Sequence, residues 1–166
     1  MPLTNTLARV DADLAAGRVP VARQRLRGLV TSFPEDLALR RRLAEVYRLY
    51  GDPAEAGRWT YLEQDRDANE TAAFEARYGT PLRRMRALAW RGCESRAGTA
   101  FAREQLASVR AACSEAAGHA VGWDAVPSAE EGAGPAAGGR AAAVGCTVAV
   151  VLFLAIWVNG LVALID

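Results

Sequence analysis

Cysteine and histidine, the residue types most often used for metal binding and nucleophilic catalysis, are scarce in this chain. Cys93, Cys113 and Cys146 are widely spaced, and His119 is the only histidine. There is no Cys-x-x-Cys pair, and one histidine does not complete a usual zinc set with cysteines so far apart. We therefore expect reduced structural cysteines and no metal or other cofactor.

Paired carboxylates and glycine-rich loops are the other patterns that could support catalysis. Asp11 and Asp13 are separated by one residue, as are Asp65 and Asp67, so on a helix the members of each pair point in different directions. The glycines between 132 and 139 have no strand–helix context and no following lysine, so they do not form a phosphate-binding loop. These patterns predict that the chain is not an enzyme.

All 20 basic residues are arginines, and the chain contains no lysine. Up to Gly92, sixteen arginines are offset by twelve acidic residues, a net charge of +4. That excess is too small for the strongly basic face that nucleic-acid binding requires, so we expect no nucleic-acid partner. The basic runs 40–42 and 83–86 have two interpretations: solvated helix faces, or contacts with anionic headgroups or an acidic peptide.

The segment from Ala141 to Ile165 carries no charged side chain. As a helix it would be about 37 Å long, enough to cross a hydrocarbon layer of about 30 Å. The remaining chain is too short and too charged to bury it on every side. The segment therefore predicts one C-terminal transmembrane helix, over residues 141–165.

The residues around this segment set its expected orientation. Arg140 precedes it and only Asp166 follows, while the N-terminal residues lack the apolar core of a signal peptide. Both features favour an N-terminal domain in the cytoplasm, at the bacterial inner membrane. Small residues recur every four positions on one face of the helix and would allow close self-association, unless they only reflect the composition of such helices. They are Ala141, Gly145 and Ala149.

Two regions precede the apolar segment. Residues 119–140 are rich in Gly, Pro and Ala and predict a flexible linker, in which Trp123 would either dock on the domain or lie among lipid headgroups. Residues 1–118 show apolar residues at helical spacing and no alternation with period two, which predicts an all-α domain. Asp52 and Pro53 are placed as the N-cap and first residue of a helix.

Glycine and alanine recur at one fixed interval: Gly17 precedes Gly51 by the same number of positions as Ala22 precedes Ala56. Together with Ala44 and Tyr47, these residues resemble the tetratricopeptide repeat family, whose period is about 34 residues, over roughly positions 3–67. The resemblance implies about two helical hairpins, with three further helices, predicted near 69–78, 81–90 and 98–117, as a cap. The segment LAEVYRLYGDPAEAGRWTYLE is also similar to an uncharacterised group of short actinobacterial proteins, which implies no activity.

The tetratricopeptide resemblance implies a ligand groove lined by the first helix of each hairpin. Matching the repeats residue by residue places Thr4, Leu7, Asp11 and Leu14 of the first copy in the groove, and Ala38, Arg41, Glu45 and Arg48 of the second. The five candidates for contact with a partner are Asp11, Leu14, Arg41, Glu45 and Arg48. Arg41 and Arg48 could hold a carboxylate or phosphate as bidentate donors. The lysine and asparagine of the family's carboxylate clamp are absent at these positions, so the expectation is a generic peptide groove.

The combined expectation is a membrane-anchored interaction adaptor, which presents a helical-repeat domain to a protein or peptide partner in the cytoplasm. Two other functions fit the same features. The chain could be a structural or assembly subunit whose tail packs among other transmembrane helices. It could also be an immunity-like or regulatory factor that sequesters one partner.

Overall fold

A computed structural model describes residues 3–125, which form seven α-helices and, within that range, no β-strand. The all-α prediction is confirmed for this part of the chain. Two short 3-10 turns, Glu94–Arg96 and Trp123–Ala125, flank the last helix. In chain order the helices are α1 (Leu3–Ala15), α2 (Val19–Ser32), α3 (Leu37–Leu49), α4 (Pro53–Thr60), α5 (Ala68–Arg77), α6 (Pro81–Leu88) and α7 (Ala100–Ala117).

Side-chain caps fix the start of every helix from α3 to α7. The predicted cap of α4 is confirmed: the Asp52 carboxylate accepts a hydrogen bond from the Glu55 backbone N–H at 3.1 Å, and Pro53 is the first residue of the helix. Such caps satisfy backbone donors that have no partner inside the helix. The equivalent caps of α3, α5, α6 and α7 are Asp36, Asp67, Thr80 and Thr99.

The first four helices form two hairpins of matching dimensions. The first helix of each hairpin begins at Leu3 or Leu37, and the second helix begins at Val19 or Pro53. Both pairs of starting residues are separated by the interval that separates Gly17 from Gly51. The period of the sequence is therefore also the period of the helices. It ends with the second hairpin, because α4 is shorter than α2 and the next helix, α5, does not continue the spacing.

Glycine and alanine do in these hairpins what their spacing predicts. Gly17 (φ +70°) and Gly51 (φ +66°) hold the left-handed conformation in the two turns, where a Cβ atom would cost free energy. Ala22 and Ala56, both fully buried, lie on the second helix of each hairpin. A methyl side chain there lets the neighbouring helices approach closely.

The apolar core consists of two clusters. The front cluster belongs to α1–α4, and the rear cluster extends from the end of α4 to the last described residues. The front cluster contains Val10, Ala22, Leu26, Val30, Leu39, Leu43, Ala44, Val46, Tyr47, Ala56 and Trp59. The rear cluster contains Tyr61, Leu62, Phe74, Met85, Ala87, Leu88, Trp90, Ala97, Ala102, Leu106, Val109, Cys113 and Trp123.

A fully buried arginine lies between the two clusters. The guanidinium carbon of Arg40 is 5.6 Å from the ring centre of Trp59 and 5.7 Å from that of Trp90. Its Nε donates to the Pro34 carbonyl at 2.8 Å, and its Nη2 donates to the Leu88 carbonyl at 2.9 Å. Arg40 therefore connects the front cluster to the C-terminal end of α6.

A second buried arginine binds the same end of α6. Arg58 Nε donates to the Ala87 carbonyl, and Nη1 donates to the Glu55 carboxylate at 3.1 Å. Carbonyls in the last turn of a helix have no intrahelical partner and carry the negative end of the helix dipole. Two guanidinium groups satisfy them here, and they dock α6 on the first two hairpins.

Tyr78 gives the fold a dependence on alkaline pH. Its hydroxyl donates to Glu55 Oε1 at 2.6 Å, and burial, followed by this hydrogen bond, raises the pKa of Tyr78 to about 12. Because this folded-state pKa exceeds the ordinary value of 10.0, the neutral phenol stabilises the fold. That contribution is complete below about pH 10 and is lost as the pH rises through about 12.

We expect Tyr78→Phe to flatten the loss of stability between about pH 10 and pH 12, because the partly buried phenol no longer has to ionise. Urea denaturation of the wild-type and variant chains across that range measures the effect. Tyr50→Phe, which removes the hydroxyl of an exposed tyrosine, is the matched control. Identical pH profiles for Tyr78→Phe and the wild type would contradict the assignment.

Trp123 docks on the helical domain. The sequence alone had left open whether it does so or lies among lipid headgroups. Its side chain is buried in the rear cluster, and its Nε1 donates to Glu94 Oε1 at 3.1 Å. The described part of the predicted linker therefore packs on the domain. No helix within residues 3–125 has the length and apolarity to span a bilayer. The predicted span, residues 141–165, lies outside the described residues.

Candidate functional site

The outer face of α3 carries three of the five predicted groove residues. Arg41, Glu45 and Arg48 follow one another at spacings of four and three, so they share one side of the helix. All three are exposed. Arg48 binds the Glu70 carboxylate of α5 with two parallel hydrogen bonds, Nε–Oε1 at 2.6 Å and Nη2–Oε2 at 2.8 Å.

Arg41 binds two carboxylates that follow α4. Its Nε donates to both carboxylate oxygens of Glu63, at 2.9 and 3.0 Å, and its Nη2 reaches Asp65 at 3.4 Å. The hydrogen bond to Glu63, followed by the charges of Glu63 and Asp65, raises the pKa of the Arg41 guanidinium. The Arg41 side chain is 53% exposed, whereas that of Glu63 is only 9% exposed. Arg41 thus covers a carboxylate that would otherwise be buried alone.

The other two predicted residues belong to α1 and take different roles. Asp11 forms an ion pair with Arg42 of α3, which ties the first helices of the two hairpins together. Leu14 is partly buried and packs against the front cluster. The structure therefore places Asp11 next to α3 through a salt bridge, and it places Leu14 among packing residues.

A cavity of about 600 Å³ opens beside Arg41. We call it the α3–α7 groove because its walls are α3, the segment after α4 and the start of α7. Its lining combines the apolar side chains of Leu37, Leu62 and Phe101 with charged arginine and carboxylate groups. The lining residues are Leu37, Ala38, Arg41, Arg42, Leu62, Glu63, Gln64, Asp65, Thr99, Ala100 and Phe101.

A second cavity, of about 380 Å³, adjoins the groove and shares Gln64 and Phe101 with it. The Arg66 guanidinium carbon lies 4.9 Å from the ring centre of Phe101 and 5.2 Å from that of Tyr61. Phe101 is only partly buried, so its ring separates two open spaces and can contact a ligand in either. It is the one aromatic side chain in the lining of both cavities.

The side chains of the groove suit binding. Two arginines and two carboxylates lie at its edges, and Arg41 is paired with both carboxylates, so a ligand would meet a balanced charge and an apolar floor. The Thr99 hydroxyl accepts a hydrogen bond from the Ala102 N–H as the cap of α7. Within residues 3–125 there is no cluster of three or more His, Cys, Asp or Glu that could hold a metal ion.

A model of a family of unknown function, DUF6584, matches residues 1–166. The chain belongs to the DUF6584 family. The match takes in the helical domain, the glycine-rich segment and the apolar C-terminal segment. No curated protein and no solved structure matches this DUF6584 chain. Ala141, Gly145 and Ala149, the predicted helix-packing face, lie outside the residues that the structure describes.

Of the five candidates for partner contact, only Arg41 lines the groove of this DUF6584 chain, together with Ala38 from the same repeat match. Leu62, Glu63, Asp65 and Phe101 come from outside the predicted set. A signal for Phe101 was present in the sequence. At 100° per residue it lies about 140° from Leu106, away from the buried face of α7. Ala102, one helical turn before Leu106, occupies that face instead and is fully buried.

Proposed function

We propose that this DUF6584 chain is a membrane-anchored protein-interaction adaptor. Its helical domain, of tetratricopeptide type, would offer the α3–α7 groove to a peptide of a cytoplasmic partner. The observation that carries the proposal is the groove itself: an open cavity of about 600 Å³ with an apolar floor and charged edges. Ligand pockets have this size and this arrangement, with apolar walls and few polar groups that orient the ligand.

The repeat geometry supports the tetratricopeptide interpretation. The two hairpins repeat at a single interval, with Gly17 and Gly51 in the turns and a fully buried alanine on each second helix. That interval is the period of tetratricopeptide arrays, about 34 residues. The resemblance implies that the first helices of the hairpins hold the ligand, and Arg41 lies on such a helix. The groove departs from that pattern at its other wall, which belongs to α7.

The proposal of a membrane anchor is based on the sequence. The uncharged segment 141–165 has the length and apolarity of a spanning helix. The family match runs through this segment, so the segment belongs to the same family unit as the helical domain. An adaptor needs both parts, one to hold the bilayer and one to hold the partner.

The geometry indicates the chemistry of the ligand. Arg41 is already neutralised by Glu63 and Asp65, so the groove is not specialised for an anion. Its floor, formed by Leu37, Leu62 and Phe101, is suited to apolar side chains. We therefore expect a peptide that inserts one or two apolar residues beside Phe101 and places polar backbone or side-chain groups at the edges.

Phe101→Ala is expected to weaken partner binding about 30-fold, since truncating an aromatic anchor typically costs about 2 kcal/mol. The partner would be captured in the native host by a photo-crosslinking residue at exposed Ala38, inside the groove. Its affinity for the purified full-length chain would then be measured in detergent. Leu49→Ala, an exposed apolar truncation on α3 outside the groove lining, is the control and should bind normally. Equal affinities for all three chains would refute the groove.

A further inference from the structure

Nine arginines of the described domain are neutralised by nearby carboxylates. Within residues 3–125, ion pairs to carboxylates engage arginines of α2, α3, α4, α5, the first 3-10 turn, α7 and the turn between α1 and α2. These arginines are Arg18, Arg25, Arg41, Arg42, Arg48, Arg58, Arg77, Arg96 and Arg110. Arg23, Arg66 and Arg103 instead contact an aromatic ring or a backbone carbonyl. An exposed guanidinium with none of these partners is therefore a distinguishing feature of the described surface.

Helix α6 carries such groups. Arg83 and Arg86 are exposed, and the described part of the chain supplies no ion pair to either side chain. Arg84 donates instead to the carbonyls of Tyr78 and Gly79, at 3.2 and 3.3 Å. The cause is visible in the sequence: the stretch 76–93 contains five arginines and no acidic residue. Arg77 pairs with Asp52 outside this stretch, whereas Arg83 and Arg86 keep a positive charge that no carboxylate of the described residues neutralises.

An apolar side chain lies within the same exposed surface. Leu82 is 40% exposed, next to Arg83 in the chain and one helical turn before Arg86. The opposite side of α6 is occupied, because Met85 and Leu88 are buried in the rear cluster. The free face of α6, formed by Leu82, Arg83 and Arg86, thus combines two unneutralised cations with a solvent-exposed leucine.

We propose that the free face of α6 docks on the anionic surface of the lipid bilayer. Phosphate headgroups complement the two guanidinium groups, and Leu82 enters the apolar boundary below them. The position of the chain end favours lipid over an acidic protein. Trp123 packs in the same rear cluster as α6, and residues 126–140 reach at most about 50 Å when fully extended. The proposed anchor would therefore hold a bilayer within reach of the part of the domain that contains α6.

Tethering also explains how so small a site can act. Two arginines and a leucine would bind vesicles weakly if the domain diffused freely. A domain held by its own chain experiences the surface at a high effective concentration, so a weak site is enough to keep it docked. The docking site rests on the proposed membrane anchor and adds an orientation of the domain to it.

The test uses the full-length chain in vesicles of phosphatidylcholine alone, or with one-third phosphatidylglycerol. A diazirine-bearing amino acid replaces Leu82, and lipid adducts are counted by mass spectrometry. We expect about tenfold more adducts with the anionic lipid, because each arginine near such a surface adds strongly to binding. At about 1 M salt the difference should disappear, since the screening length falls to about 3 Å. The salt and lipid comparisons use one labelled chain throughout, so they do not depend on comparing the folding of different variants.

The charge requirement is tested by Arg83→Gln/Arg86→Gln, which removes two cations without a described ion pair. Labelling should fall to the level seen with phosphatidylcholine alone. The control Arg23→Gln/Arg103→Gln changes the net charge equally on α2 and α7 and should label as strongly as the parent. The proposal would be overturned if labelling did not depend on lipid charge, or if it fell equally in both variants. Adducts to an acidic protein in native membranes, instead of to lipid, would do so too.

Alkaline carbonate extraction of the same vesicles separates the two proposals. If the chain stays embedded but gives no lipid-charge-dependent adducts, the proposed anchor is supported and the proposed docking face is wrong. If carbonate removes the chain and the chain still labels anionic vesicles selectively, the docking face is supported and the proposed anchor is wrong. Neither result leaves the docking face undecided.

Discussion

Replacing Gly57 with alanine is expected to destabilise the domain by about 3 kcal/mol, because α4 and α5 touch through this position. Gly57 is buried in α4. A Cβ atom added there would lie 2.0 Å from the Glu70 carbonyl oxygen and 2.4 Å from its carbon, both in the backbone of α5. A backbone cannot rotate away as a flexible side chain does. The two helices would have to separate, and Arg48 would be drawn away from Glu70.

Gly28→Ala is the matched control, with an expected effect of opposite sign. Gly28 is an exposed residue inside α2, and a Cβ atom there would meet nothing within 4 Å. Alanine should stabilise that helix by about 0.5–1 kcal/mol, since glycine loses more conformational entropy on folding. Urea denaturation of both variants at neutral pH gives the comparison. If Gly57→Ala matched the wild type or Gly28→Ala, the close approach of α4 and α5 would be wrong.

The glycines of this fold differ in how much of their role can be predicted from the sequence. The two-hairpin part of the fold is readable because its determinants are local and repeat: Gly17 and Gly51 turn the chain, and Asp52 caps the helix after the second turn. Gly57 leaves no comparable pattern. Its importance comes from the carbonyl of Glu70, on a helix whose direction the sequence does not specify. Local signals predict where helices begin and turn, and they say little about how closely two helices pack.

The arginine run 40–42 shows that local sequence also does not predict the surroundings of a side chain. Its three members look alike in the sequence and suggest one basic patch. In the structure Arg40 is buried, Arg41 lines the groove against Glu63, and Arg42 pairs with Asp11. Successive helical residues differ by about 100° in direction, so the three side chains meet different neighbours. Those neighbours include Asp11, Glu63 and Leu88, which are far apart in the chain.

The groove was predictable only in part for a related reason. Matching the sequence to the repeat pattern identified the face of α3 that lines the groove, and Arg41 lies on that face. The opposite wall consists of residues 62–65, which follow the last repeat helix, and of Thr99–Phe101 at the start of α7, which lie outside the repeats. A resemblance that covers residues 3–67 cannot place a helix that begins at Ala100. The candidate site therefore depends on the docking of α6 and α7 against the two hairpins.

Arg40 controls that docking, and Arg40→Ala should cost about 4 kcal/mol. The variant leaves the carbonyls of Pro34 and Leu88 without their donor, at about 1–3 kcal/mol for each buried group. It also leaves a space between the rings of Trp59 and Trp90 that the surrounding side chains can fill only partly. A loss of this size is a large part of the roughly 5–15 kcal/mol that typically stabilises a small domain.

Two companion variants identify the cause. Arg42→Ala removes a later residue of the same run, a half-exposed member of an ion pair with Asp11, and should cost at most about 1 kcal/mol. Arg40→Met keeps an unbranched chain between the two indoles while the carbonyls still lack a donor, so we expect it to recover only part of the loss. Urea denaturation monitored by tryptophan emission reports both the stability and the exposure of the rings. Full recovery in Arg40→Met would show that packing alone holds α6 in place, and the capping role of Arg40 would then be wrong.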